Sequence, residues 1–525
     1  MVTAVRSGAE AVVDAAVARG VSVCFANPGT TEMPLVAALD SRPGLRAVLG
    51  LQENVCTGAA DGYARVSGRP AATLLHLGPG LANGLANLHN AMRAHSPVVN
   101  VVGDHMTWHR AFDTPLTSDI AALARTVGQV LTTRSRQSVA QDVVDAVDEA
   151  RTGRRVVTLI VPADHQQAEL AEPPHGGDVA DRPLPAVDGD RVRQVADALR
   201  RAGSRAVLLL GAGALSADGQ HAAARIAAHL GATVYSETFP ARTERGAGLP
   251  AVDRLPYFPE RAVEALGGAE AVVVVGARPP VAYFGYAGTP SELAPAGSVL
   301  CLAGPLEDAR TALLELADLV TPAPVPGRRA AGPVVDGPAA APPDDTVLTA
   351  HSAVHVVAGA LPEGAVVSVE GGTLGYPFFT AGATAAPHTV LTNTGGAIGQ
   401  GLPCALGAAV AAPDRTIVAL QSDGSGLYTA QALWTMARER ARVVVLVCAN
   451  RVYGVLRAEL GRHGQSVAAT QAAALTSLDD PAVDWVALAT SFGVPASSVR
   501  TVGQLRAAFD DAVRADGPVL VEVVL

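Results

Sequence analysis

The stretch TIVALQSDGSGLYTAQALWTMARERARVVVLVCAN, residues 416–450, decides the fold. It opens on a short apolar run, breaks at Ser422-Asp423-Gly424, passes through a segment of helical texture, and returns to a second apolar run that ends at Ala449-Asn450. Two strand-sized apolar runs separated by a helix-sized segment predict buried parallel strands joined by a crossover helix. In such a sheet the carboxyl ends of the strands share one edge, so Asp423 and Asn450 are expected to meet although they are far apart in sequence. Both offer oxygen. One carboxylate, one amide and one backbone carbonyl are what Mg²⁺ takes from a protein when a diphosphate and water complete its octahedron. Gly424 and Ser425 are expected to open the next helix, whose free N–H groups and dipole favour an anion there.

The same alternation extends outward. AVVSVEGG (365–372) precedes this stretch, and AVLLLGAG (206–213) and AVVVVGARPP (271–280) repeat it in mid-chain. Two stretches rich in Pro, Gly and Ala, 171–188 and 323–344, read as linkers. They divide the 525 residues into blocks at 1–170, 189–322 and 345–525. The fold class is therefore α/β, with three doubly wound parallel-sheet domains.

Composition excludes several classes. A formal net charge of -10, with no block of Lys and Arg, argues against a nucleic-acid partner. No apolar run is long enough to span a membrane, and the N-terminus lacks the pattern of a secretion signal, so a cytoplasmic location is expected. Cys24, Cys56, Cys301, Cys404 and Cys448 show no CxxC pairing and receive no redox or zinc role.

Further motifs stand in order along the chain. In LGLQENVCTGAADGYARVSGRP (49–70), Glu53 ends a strand-like run and starts a helix of small residues, an apolar setting that suits a carboxyl sharing a proton with a ring nitrogen. FANPGTTEMP (25–34) and LLHLGPGLANGLANLHNA (74–91) read as pocket loops, and VEGGTLGYPFF (369–379) and TNTGGAIGQGLPCALGAA (392–409) as loops around a cofactor.

Together these motifs resemble the thiamine-diphosphate-dependent 2-oxoacid decarboxylase and acetolactate synthase family. Its pattern is GDG, a spacer of about two dozen residues, then NN. Here Ser422 and Ala449 replace the leading Gly and the first Asn, and Arg451 replaces a Gly, while Asp423 and Asn450 keep the ligand positions. Benzoylformate decarboxylase is the closer match of the enzymes compared. The resemblance implies thiamine diphosphate and Mg²⁺ as cofactors, with Asp423, Asn450 and the Val452 carbonyl as metal ligands. It implies that Glu53 activates the aminopyrimidine, that Gly396 offers it a carbonyl, and that Ile398 is the wedge bending the coenzyme. Thr373 and Tyr453 would contact the diphosphate, alongside Gly424 and Ser425, and Asn83 would line the thiamine pocket. Thr30 and His76 take the places of an active-site Ser and a proton-relaying His. Phe284 falls where a second His is found, and His105 or His109 is the substitute.

The implied reaction is decarboxylation of a 2-oxoacid through a ylid and an enamine, in a homodimer or homotetramer with sites between subunits. An acetolactate-synthase-like carboligase is the alternative, with a possible FAD where GAGALSADG (211–219) would open a nucleotide site. A relative that binds cofactor without turnover is the third reading, motivated by Ser422, Ala449, Arg451 and Phe284.

Overall fold

The computed structural model describes residues 6–170, 183–321, 342–468 and 470–525. Most of both linker stretches, 171–182 and 323–341, lies outside the described residues.

The apolar runs form strands because Val, Ile and Leu on both faces can be buried only between two layers of helices. The first block builds a six-stranded sheet in the order Arg46–Leu49, Val23–Asn27, Ala71–Leu75, Val98–Asp104, Val156–Pro162, Gln129–Thr132. Every pairing within it is parallel. The middle block builds five parallel strands ordered Asp253–Arg254, Thr233–Ser236, Ala206–Leu210, Ala271–Val275, Val299–Ala303. The last sheet runs Thr243–Arg245, His388–Thr392, Val366–Glu370, Ile417–Ser422, Val443–Ala449, Val519–Val524, Ala496–Val499. All its pairings are parallel except the first, where Thr243–Arg245 from the middle of the chain adds antiparallel to His388–Thr392. Among the described residues no helix is long and apolar enough to cross a membrane.

The first and last sheets share one core. A single cluster of buried side chains runs from Val55, Ala59 and Tyr63 to Leu402, Ala405 and Ala408. It forms because helix Glu53–Ser67 and helix Gly401–Ala411 touch backbone to backbone. A Cβ on Gly62 would stand 2.1 Å from the Cys404 carbonyl oxygen, and one on Gly407 would stand 1.9 Å from that of Ala59. Small residues are required at both points. At the same junction the Asp61–Arg65 ion pair is wholly buried. Arg65 donates to the Thr392 carbonyl at 2.7 Å, and Gln400 donates to Asp61 at 3.0 Å, so the ADGYAR motif ties the first sheet to the last.

Gly407→Ala is expected to lower stability by about 1–3 kcal/mol through this clash, read as a fall in melting temperature. The control Gly359→Ala meets no atom within 4 Å in its helix and should leave the protein as stable or more so.

Candidate active site

The sequence-predicted residues of the first block come off one edge of its sheet. Strand Val23–Asn27 runs into the single turn Thr30–Glu32, its neighbour Arg46–Leu49 leads to Glu53, and its other neighbour Ala71–Leu75 ends at His76. The carboxyl ends of parallel strands open to a crevice, which is why loop residues there can do chemistry. Glu53 Oε1 and His76 Cβ both lie within 3.4 Å of the Cβ position that Gly80 lacks, so the two side chains flank one glycine.

His76 is held by a residue that the sequence reading missed. Its Nδ1 lies 2.8 Å from Glu32 Oε2, and Glu32 is completely buried. Thr31, not Thr30, completes the group: its hydroxyl donates to Glu32 Oε1 at 2.5 Å and lies 3.2 Å from His76 Nδ1. Glu32 also accepts the Gly29 N–H at 2.8 Å. A buried carboxylate on Nδ1 fixes the imidazole's orientation and tautomer, leaving Nε2 to face the site. The ring packs so closely on Gly29 that a Cβ there would stand 2.3 Å from it. The next residue, Leu77, is buried with φ +50, a costly conformation for a non-glycine that the surrounding packing enforces at the base of the site. The signal for Glu32 was present: Glu three residues after Gly29 is capping-box spacing at a turn entering a helix. Thr30 itself is exposed.

Glu53 heads its helix and accepts from Asn83 Nδ2 at 3.1 Å. It is half-buried and Asn83 is exposed, so within one chain the apolar enclosure predicted for Glu53 is open on one side. The reason is its place at the outward edge of the sheet. His105 and His109 follow strand Val98–Asp104 with rings 5.7 Å apart, His109 lying against the exposed Trp108 and Phe112. Phe284 is 60% exposed.

The last sheet presents its own edge. Asp423 Oδ1 accepts the Gly424 N–H at 2.9 Å and Oδ2 the Arg451 N–H at 2.6 Å. Asn450 Oδ1 accepts the Val452 N–H at 3.1 Å, and its Nδ2 donates to Thr373 at 3.0 Å. Both oxygen donors thus converge on the 451–452 turn. Burial raises the Asp423 pKa against the lowering pull of those amides. No Lys, Arg or His side chain pairs with Asp423 among the described residues. A buried carboxylate with no contact ion pair among the described residues, the Arg451 charge acting on it only from a distance, stands beside an amide oxygen and a peptide turn in a donor set that fits a hard divalent cation. Ser422 is accommodated because Gly371, at φ +112, has no side chain: a Cβ there would stand 2.0 Å from Ser422 Oγ. Gly424 similarly makes room for Tyr453.

The helix expected after Ser422 is shorter than the sequence suggested. Asp423–Gly426 forms a single turn with Ser425 tied to Gln421 at 2.7 Å, and the longer helix begins only at Ala432. Gly426 packs against Trp485 and the intervening residues turn, so the chain breaks where a continuous helix was predicted.

The loop carrying Gly396 and Ile398 is pinned from both sides. Buried Glu370 accepts N–H groups from Gly399 at 2.6 Å, Gln400 at 3.3 Å and Gly401 at 2.7 Å, while Asn90 of the first block pairs with Ala397 at 2.8 Å. Gly396 is exposed at φ +77, and Ile398 is half-buried. Glu370 was legible as the lone charge closing the run VVSVE, yet was not singled out.

A cavity of about 940 Å³ lies elsewhere. It opens where strands Ala206–Leu210 and Ala271–Val275 diverge, at the turn Gly211–Gly213, with walls from Arg93, His95, Glu237 and Arg278. None of the candidate catalytic, cofactor or metal residues lines it, although Ala64, Arg65, Gly68, His89, Thr394 and Gly395 of the neighbouring motifs do. Burial pushes the Glu237 carboxyl up to about 8, against the pull of Arg278. The same burial, with Arg278 and other arginines around it, pushes His95 down to about 4.

This arrangement has relatives. Residues 6–124 match the thiamine pyrophosphate enzyme N-terminal TPP binding domain, and residues 377–523 match the corresponding C-terminal TPP binding domain. A Mycobacterium tuberculosis protein whose name proposes an acetolactate synthase large subunit, IlvX, is 47% identical over 99% of both chains. The chain belongs to the thiamine pyrophosphate enzyme family. Benzoylformate decarboxylase of Pseudomonas aeruginosa is 28% identical to this thiamine pyrophosphate enzyme over 96% of each chain. The thiamine diphosphate-dependent 4-hydroxybenzoylformate decarboxylase of Rhodococcus jostii RHA1 superposes with a TM-score of 0.84 at 25% identity, covering 99% of both.

Two outcomes follow from this geometry. Arg451 has φ +56, so Arg451→Gly should raise stability by about 1 kcal/mol, seen as a higher melting temperature. Glu237 has a folded pKa above its ordinary 4.5, so the stability it contributes is present at low pH and lost as pH rises through about 8. Thermal unfolding between those values should weaken by up to about 1.4 kcal/mol per pH unit, less any screening by cavity water, and Glu237→Gln should flatten that slope.

Proposed function

We propose that this thiamine pyrophosphate enzyme decarboxylates a 2-oxoacid, in the manner of its benzoylformate decarboxylase relatives, using thiamine diphosphate and Mg²⁺. The observation that carries the reading is His76, oriented by buried Glu32 and facing Glu53 across Gly80, because a decarboxylase must deliver a proton where CO₂ departs. When bound, thiamine diphosphate supplies a nucleophilic carbon that adds to the 2-oxo group and accepts the electron pair released with CO₂.

The chain's own residues do the rest. Asp423, Asn450 and the Val452 carbonyl hold the metal, and Thr373, Gly424, Ser425 and Tyr453 face the diphosphate. Glu53, steadied by Asn83, exchanges a proton with the coenzyme's pyrimidine ring. Gly396 offers its carbonyl to that ring and Ile398 is the apolar wedge that would bend the coenzyme, both on the loop clamped by Glu370. His76 gives up its proton at Nε2, Thr31 supplies a hydroxyl beside its Nδ1, and Thr30 is the exposed hydroxyl at the start of the same turn. Phe284 brings bulk without a proton.

We assign 1–170, 189–322 and 345–525 as pyrimidine-binding, central and diphosphate-binding domains. Glu53 and Asp423 stand on separate sheet edges, and the exposed Trp108 and Phe112 lie beside the first of them. A homodimer or homotetramer, with the first domain of one protomer facing the third of another, supplies the missing wall for Glu53. The five free cysteines suit a cytoplasmic setting.

The cavity at the strand divergence favours a second reading, an acetolactate-synthase-like carboligase carrying FAD on the central domain. Purified protein that is yellow, with flavin absorbance, supports it; colourless protein leaves the decarboxylase.

Glu53→Gln should reduce hydrogen–deuterium exchange at C2 of bound thiamine diphosphate by about 10²–10⁴-fold, with cofactor still bound. CO₂ release across a panel of aryl and alkyl 2-oxoacids, with products identified by mass spectrometry, tests the activity. Neither CO₂ nor a ligated product from any member would refute the reading.

A further inference from the structure

One half-buried charge is used by none of the roles above. Arg254, at the end of the edge strand Asp253–Arg254 of the central sheet, has no carboxylate, carbonyl or hydroxyl partner among the described residues. Its guanidinium lies 3.8 Å from the Phe379 ring centre and 4.9 Å from that of Tyr376. Its neighbour Arg245, over the same Phe379 ring, donates from its two terminal nitrogens to the carbonyls of Val252 at 2.9 Å and Phe379 at 2.6 Å, with its Nε left unpaired. Arg254 makes no such bond. Burial pushes its pKa down only to about 10, so it is charged at neutral pH.

Its position joins it to the site. The Tyr376 ring folds back on Gly372, whose absent Cβ would stand 2.8 Å from it, and the next residue, Thr373, bonds Asn450. The charge is thus linked to Asn450 through Tyr376, Gly372 and Thr373. The wall around it is open, with Tyr376 and Tyr283 at 45% and 46% exposure. Ring contacts recover only part of the cost of withdrawing a guanidinium from water, and its five donors match a carboxylate.

The carboxylate that leaves as CO₂ is the wrong guest. An ion pair to it would stabilise the reactant more than the transition state, in which that charge is dispersing. A carboxylate that persists meets no such objection. We propose that Arg254 is a specificity residue that binds a carboxylate retained through turnover: the distal carboxylate of a dicarboxylic 2-oxoacid, or the carboxylate of a second 2-oxoacid acting as acceptor. This rests on the 2-oxoacid reading above.

The test compares wild type, Arg254→Lys and Arg254→Met, each loaded with thiamine diphosphate and Mg²⁺. For the distal source, the ratio of kcat/KM for 2-oxoglutarate over 2-oxopentanoate should fall about 10- to 100-fold in Arg254→Met, with Arg254→Lys between. For the acceptor source, the ratio of ligated product to aldehyde, with 2-oxopentanoate as donor and pyruvate as acceptor, should fall instead. Glutarate, which cannot react, should bind wild type more tightly than Arg254→Met by calorimetry. Ratios and glutarate affinity that are the same in all three proteins would overturn the proposal. Loaded protein that turns over no 2-oxoacid refutes the function proposed above, whereas glutarate binding that depends on Arg254 would still support the anion site.

Discussion

The approach of two helix backbones, at Gly62 against Cys404 and Gly407 against Ala59, is the constraint on which the rest of the structure depends. It lets the helix that begins at Glu53 and the helix that follows the Ile398 loop share one core, so two sheets behave as one body. The Asp61–Arg65 pair is then fully buried. A buried pair of this kind adds little by itself but is costly to break, so it selects one registration of the helices over others. Arg65 and Asp61 spend their remaining bonds on Thr392, Ser96 and Gln400, which carries that selection to the loop bearing Gly396.

From this junction the chemistry is distributed by topology. Apart from Asn83, which sits within helix Leu77–Arg93, the candidate residues follow the carboxyl ends of parallel strands, where successive turns converge on one edge. The two edges use the same local device: a buried carboxylate organises polar neighbours. Glu32 does this for His76, and Glu370 does it for the Gly399–Gly401 amides. Neither carboxylate needs to meet a substrate. Each converts a flexible turn into a fixed one, which preorganises the groups that do.

How much of this was legible follows from the range of the signals. The alternation of apolar runs and helical segments is local, so the strands at 366–370, 417–422 and 443–449 and the convergence of Asp423 with Asn450 could be read directly. Thr243–Arg245 could not: three residues have no periodicity, and their pairing partner is more than a hundred positions away. Glu32 and Thr31 were passed over because their meaning lies in His76, on another strand. The helix after Ser422 was overextended because small polar residues there signal an anion site and a helix start equally well. Trp485 packing against Gly426 decides between them, and that contact is tertiary.

The departures from the family pattern bear on whether the site is working or decayed. Ser422 is absorbed by Gly371, whose missing side chain leaves room for the hydroxyl. Ala449 is buried at the end of its strand, and its replacement of an amide leaves Asn450 and the 451–452 turn in place. Arg451 adopts the left-handed conformation a glycine would take freely, and its N–H still caps Asp423. In each case the altered side chain is accommodated by its surroundings while the oxygen donors keep their geometry. A chain drifting away from cofactor binding has no reason to keep a strained Arg451 in the turn that organises those donors, or a fully buried Glu32 whose polar bonds go to His76, Thr31 and Gly29. Both cost stability, and the arrangement each preserves is the one that acid–base chemistry at a metal-held coenzyme requires.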